Sequence, residues 1–196
     1  TPSGALAMSS GRTDCMKVNA IVYTSATGFT RRYAQMLGER TGLPVHDLRG
    51  GIPPVRGTRV LYLGWLFAGG VKDLARARRK WNVRGVCAVG MSPEEMARDA
   101  GIGERLGNTP LFYLRGGYSP EKLPGIYRPM MWMMTKKVTK EPPKDEKEAY
   151  MHQVFREGAD FVDEKYLEPV LAWLADSTGK GGSGHGHVGT EFDGKL

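Results

Sequence analysis

The run Arg59-Val60-Leu61-Tyr62-Leu63-Gly64-Trp65 constrains this chain more than any other segment, because it is apolar at consecutive rather than alternate positions. A strand that faces water on one side alternates in polarity. A strand apolar throughout has both faces covered, as in a parallel sheet between two helical layers. Gly85-Val86-Cys87-Ala88-Val89-Gly90 repeats the pattern. Helical and strand signals alternate around these two runs. Residues 18–23 read as a first strand, and 30–40 as a helix carrying Tyr33, Met36, Leu37 and Arg40 at helical spacing, with Gly42 as its stop. A short strand at 44–48, a basic helix at 71–81 and a fifth strand at 110–114 follow. Ser92-Pro93-Glu94-Glu95 combines a hydroxyl cap, a first-turn proline and a capping-box glutamate. Residues 148–157 and 164–174 read as helices, the second opening after Asp163. The alternation predicts an α/β three-layer domain whose ligands bind outside the carboxyl ends of the strands, beside the topological switch point.

A chain of 196 residues suffices for one such domain, expected over 16–175, with a flexible leader at 1–15 and a glycine-rich flexible tail at 176–196. No apolar run is long enough to cross a bilayer, and the first fifteen residues lack the charged and apolar regions of a secretory signal. Cys15 and Cys87 make neither a C-x-x-C pair nor a metal spacing, which points to a reducing cytoplasmic setting. His46 and His152 read as surface or packing residues, and His185 and His187 are too few for a metal site. The net charge of +7 invites a polyanionic partner, although nucleic acid is not the expected one.

The turn after the first strand carries the chemistry. It reads Ser25-Ala26-Thr27-Gly28-Phe29-Thr30, hydroxyl residues around a glycine directly before an amphipathic helix. A phosphate placed there meets free N–H groups, the positive end of the helix dipole and hydroxyl donors, and the glycine lets the backbone approach closely. One hydroxyl would be explained as a helix cap; this many in one turn are not.

This turn resembles the hydroxyl-x-Thr-Gly-x-Thr pattern of the flavodoxin family, with Phe29 where asparagine is frequent. Over about 16–174 the chain is similar to that family, and closest to its branch containing menaquinone-dependent protoporphyrinogen oxidase and uncharacterised relatives. That closer likeness rests on 64–70, on Phe112-Tyr113-Leu114-Arg115-Gly116-Gly117 and on the methionine-rich segment beyond. A receiver domain would need acidic residues where Thr24-Ser25 and Gly64-Trp65 stand. A low-molecular-weight phosphatase would need a cysteine and arginine bracketing five residues, and no P-loop motif occurs.

The resemblance implies a flavodoxin-like sandwich, a five-stranded parallel sheet of order 2-1-3-4-5 with helices on both faces, that binds FMN. It also implies that Trp65-Leu66-Phe67-Ala68-Gly69 covers one side of the flavin, with a backbone carbonyl facing N5 and Trp65 and Phe67 as stacking or core residues. Gly90, Met91 and Ser92 would meet the pyrimidine edge. The family's stacking tyrosine is missing here, so Met91 or Tyr118 would substitute, or one flavin face would be open. Arg115, Gly116, Gly117 and Tyr118 lie on the same rim, where an arginine could stabilise an anionic reduced ring.

Two further features bear on partners. Lys72, Arg76, Arg78, Arg79, Lys80 and Arg84 make one helix basic, the reverse of the family's acidic carriers. Met130-Met131-Trp132-Met133-Met134-Thr135-Lys136-Lys137 suits either a helix packed with Met130, Met133 and Met134 inward, leaving Met131 and Trp132 outside, or an interfacial helix on anionic lipid. The expected functions are therefore an FMN-dependent electron carrier or oxidoreductase with a protein or quinone partner, a quinone-linked protoporphyrinogen oxidase-like enzyme at the inner membrane face, or a flavin-less binding module using its basic surface.

Overall fold

The structure, a computed structural model, describes residues 17–99 and 101–177. The expected leader and nearly all of the expected tail lie outside these residues. Asp176 and Ser177, placed in that tail by sequence, belong to the last helix instead.

The elements in chain order are β1 (Ala20–Thr24), α1 (Phe29–Thr41), β2 (Val45–Asp47), β3 (Arg59–Phe67), β4 (Gly70–Val71), α2 (Leu74–Lys80), β5 (Asn82–Gly90), α3 (Glu94–Asp99), β6 (Leu111–Arg115), β7 (Gly117–Tyr118), α4 (Arg128–Val138), α5 (Glu146–Glu157), β8 (Ala159–Asp160) and α6 (Glu168–Ser177). Strands β2-β1-β3-β5-β6 form a parallel sheet, the 2-1-3-4-5 order of a flavodoxin-like three-layer sandwich.

Side-chain alternation along the buried strands feeds two separate cores. Ile21, Tyr23, Leu61, Leu63, Cys87 and Val89 point to one face, where Tyr33, Ala34 and Leu37 of α1 and Val170 and Leu174 of α6 cover them. Ala20, Val22, Val60, Tyr62 and Val86 point to the other, under Leu74 and Ala77 of α2. Apolar strands are thus required on both sides, which is why these runs do not alternate. Gly85 sits where a Cβ would fall 2.8 Å from the Trp173 ring, so a glycine there lets α6 lie against the sheet.

A third cluster lies across the carboxyl edge of the sheet. Tyr118, Leu123, Tyr127, Val154 and Phe155 are buried in it, with Trp65, Phe67, Met91 and Met131 packed alongside. The helix pair α4–α5 belongs to this cluster and closes the edge where ligands of such folds bind. Among the described residues no helix is long and apolar enough to cross a membrane.

Segment 64–70 is not the loop expected from its glycines. β3 continues through Phe67, turns at Ala68 and Gly69, and returns as β4, with Leu66 opposite Val71 and Phe67 opposite Gly70. Both turn residues have positive φ, 49° and 75°, the requirement of the two-residue turn that matches strand twist. The basic helix consequently starts at Leu74, not at 71. The packing of α4 also differs from the expected one: Met131 is packed inward, while Met130, Met133 and Met134 are exposed.

Candidate functional site

β1 ends at Thr24, fully buried, and the chain turns before α1 through Ser25, Ala26, Thr27 and Gly28. The Ser25 hydroxyl accepts the Gly28 N–H at 3.0 Å, so it holds the shape of the turn. Gly28 has φ +100° with nothing near the position of a Cβ; its glycine answers to backbone conformation rather than to space. No side chain caps α1, and its first turn contains no acidic residue. The Arg32 backbone N–H is the first of the helix to donate within it, to the Gly28 carbonyl, so the N–H groups of Phe29, Thr30 and Arg31 have no acceptor within the helix. These donors add to the positive helix end and favour an anion.

Beside this turn lies a cavity of about 270 Å³. Ala26, Thr27, Phe29 and Thr30 bring the turn to its wall. Trp65, Leu66, Phe67 and Ala68 come from the end of β3 and its hairpin, Val89, Gly90 and Met91 from the end of β5, and Gly117 and Tyr118 from β7. The structure therefore gathers residues from all four expected loops around one space. Its roof is formed by residues that were not among the expected site positions: Leu123 and Tyr127 before α4, and Met130, Met131 and Met134 on it. Leu123 and Tyr127 were legible only as two apolar positions around Pro124-Gly125. Thr27, Phe29 and Tyr118 also border an adjoining cleft of about 500 Å³ of mixed charge, which reaches Gly28, Arg31 and Lys122 and also Glu121, Glu157 and the Arg32–Asp160 pair.

The aromatic wall is set edge to face. Trp65 lies 5.1 Å from Phe67 and 5.3 Å from Tyr127 between ring centroids, with interplanar angles of 64° and 86°. The Lys72 ammonium sits 5.3 Å from the Phe67 ring centre, which adds a cation–π contact behind the wall. The Trp65 indole N–H is buried without a hydrogen-bond partner. Trp65 and Phe67 thus belong at once to the third core and to the cavity wall.

Several expected positions fall outside the cavity. Gly69 is exposed at the hairpin tip. The Ser92 carbonyl accepts the Tyr113 hydroxyl at 2.6 Å. Gly116 is buried between Val89 and Phe29, and its N–H donates to the Gly90 carbonyl at 2.7 Å. Arg115 borders a different cavity with Tyr150 and Glu95. Its guanidinium lies 4.0 Å from the Phe161 ring centre and bonds to the Tyr150 hydroxyl, while its Nε is buried and unpartnered. Arg115 is therefore held by aromatic residues of the α5–β8 region rather than turned to the cavity above the sheet.

Two buried hydroxyls bind the site's parts together. The Tyr33 hydroxyl donates to the Arg115 carbonyl at 2.5 Å and accepts the Asp163 N–H at 3.2 Å. Burial pushes its pKa up to about 12. The Tyr62 hydroxyl donates to the Lys72 carbonyl at 2.5 Å and lies 3.1 Å from the Thr24 hydroxyl, which is left as donor to it. Burial raises the Tyr62 and Cys87 pKa values strongly, so both groups are neutral at physiological pH. Among the described residues no group of three His, Cys, Asp or Glu side chains could hold a metal ion.

The sequence matches no family model and, at a significant level, no curated protein.

Proposed function

We propose that this protein binds flavin mononucleotide and passes electrons through it, as a flavodoxin-like redox protein. The observation that carries the reading is the uncapped start of α1 opening directly beside an apolar, aromatic-walled cavity at the carboxyl edge of the sheet. A bound flavin would supply both one- and two-electron transfer at a single centre, with the protein's residues binding and orienting it.

The residues fit the group at both ends. The N–H groups of Phe29, Thr30 and Arg31, with the Thr27 hydroxyl, offer donors to a phosphate dianion, and no first-turn carboxylate repels it. The cavity is near the lower end of small-molecule sites, roughly 300–1,000 Å³, a size suited to a planar ring. The adjoining cleft gives the polar end room at Gly28. Leu66, Phe67, Met91 and Tyr127 would exclude water from the ring-binding space, and the hairpin brings Ala68 to its edge.

A second reading, a quinone-linked flavoenzyme resembling protoporphyrinogen oxidase at a membrane face, is favoured by the methionine roof. Met130, Met131 and Met134 offer an adaptable apolar surface to a flat partner.

Titration of the purified protein with FMN, followed by flavin fluorescence, tests the first reading. The expected result is saturable one-to-one quenching, with riboflavin binding weaker by roughly tenfold or more, since a charged phosphate at a helix start contributes on the order of 1–2 kcal/mol. Failure to take up FMN would overturn the flavin reading and leave the basic-surface binding module in its place.

A further inference from the structure

We infer that α4 is a lipid-docking helix: it seats the protein on an anionic membrane surface and turns the mouth of the cavity toward the bilayer. The inference extends the membrane-face reading and does not depend on flavin being bound.

Of the seven large apolar residues exposed among the described residues, five fall between 126 and 134. Ile126 is 79% exposed, Trp132 61% and Met133 66%, with Met130 and Met134 beside them. Only the stripe Met131, Thr135 and Val138 is half-buried, and no residue of α4 is fully buried. A helix that packs one narrow stripe and presents methionine and tryptophan elsewhere is unlike the surface helix of a protein that meets water alone.

The charge pattern selects the occupant. From Lys122 to Lys140 the chain carries Lys122, Arg128, Lys136, Lys137 and Lys140 and no acidic residue. Such a cluster around exposed apolar side chains matches an anionic headgroup layer with acyl chains beneath it. The Lys136 ammonium lies 3.9 Å from the Trp132 ring centre, an amphipathic pair suited to the headgroup level. A second copy of this chain would bring five cations against five. A nucleic acid would want several hydrogen-bonding side chains among the apolar ones, and 128–134 offers only Arg128 and the Trp132 indole. At eleven residues, about 16 Å, α4 lies in the interface rather than crossing roughly 30 Å of hydrocarbon. Met130 and Met134 are both exposed and part of the cavity roof, so the lipid contact and the cavity mouth share one helix.

The test is co-sedimentation of the full chain with phosphatidylcholine vesicles, with and without phosphatidylglycerol, alongside the tryptophan emission of the bound protein. Phosphatidylglycerol is expected to raise partitioning at low salt by roughly tenfold or more. Lys136→Glu with Lys137→Glu should remove most of that gain. Trp132→Ser with Met133→Ser should lower partitioning further and abolish the emission blue shift. These four positions are exposed and do not line the cavity, so FMN binding and circular dichroism should be unchanged. Absence of partitioning, or equal partitioning of all variants, would overturn the inference. So would retention on DNA or an acidic protein without vesicle binding, or a dimer that shields Trp132 in the presence of vesicles. Vesicle binding without FMN uptake would sink the flavin reading and leave this one standing; FMN uptake without vesicle binding would do the reverse.

Discussion

The two helices that meet at the cavity, α1 and α4, are built on opposite terms. α1 buries Phe29, Thr30, Tyr33, Ala34 and Leu37 against the sheet and offers the cavity only its first turn. α4 buries no residue fully and offers the cavity its side chains. The polar end of the site is thus fixed by the same packing that makes the fold, whereas the apolar end is closed by a helix with little core of its own. Fixed backbone donors suit a phosphate, whose geometry does not vary. A lightly anchored methionine surface suits partners of varied shape.

That contrast can be broken by substitution. Leu37→Ala, in the fully buried stripe of α1, is expected to cost about 2–5 kcal/mol in urea unfolding. A loss well below that range would mean α1 is not the anchored element described above. Gly28→Val forces a β-branched residue into positive φ, at roughly 1–3 kcal/mol of strain. It should weaken FMN binding more than riboflavin binding; equal weakening of the two would detach the turn from the phosphate.

Tyr33→Phe is expected to cost about 1 kcal/mol through the two lost hydrogen bonds. It also has a pH signature. The folded state holds the Tyr33 proton more tightly than the unfolded chain, since burial raises its pKa from 10.0 to about 12. The associated stability is fully present below pH 10.0 and is lost as pH rises toward about 12. Unfolding measured across that window should decline less steeply for the phenylalanine variant than for the natural sequence. At the small end of the scale, Met133→Ala on α4 should change stability by no more than about 0.5 kcal/mol. A larger cost would show that α4 is anchored after all.

Much of the sheet was legible because its physics is local. Continuous apolar runs at β3 and β5 can only be strands covered on both faces, and the hydroxyl-glycine turn at 25–30 announces a helix start with donors to spare. Asp163 was legible as a cap, and its carboxylate does accept the Lys165 N–H. The hairpin at 66–71 was hidden, because its turn places Ala68, not only a glycine, at positive φ, and residue type alone does not reveal that. α4 was misread in its facing. Four methionines and a tryptophan fill every side of the helix, so no period marks the inner stripe; only the position of Tyr127 and of α5 decides that Met131 turns inward. Arg115 failed for a related reason, since its partners Tyr150 and Phe161 come from 35 and 46 positions further along the chain.

Tyr62 has one more consequence. Its hydroxyl joins Thr24, the last residue before the turn at 25–28, to the carbonyl of Lys72, the first residue beyond the hairpin. The two walls that would grip opposite ends of a nucleotide are therefore rivetted to a single phenol in the middle of the sheet. The turn and the hairpin are thus held in register by two hydrogen bonds to one buried side chain, in addition to the pairing of β1 with β3.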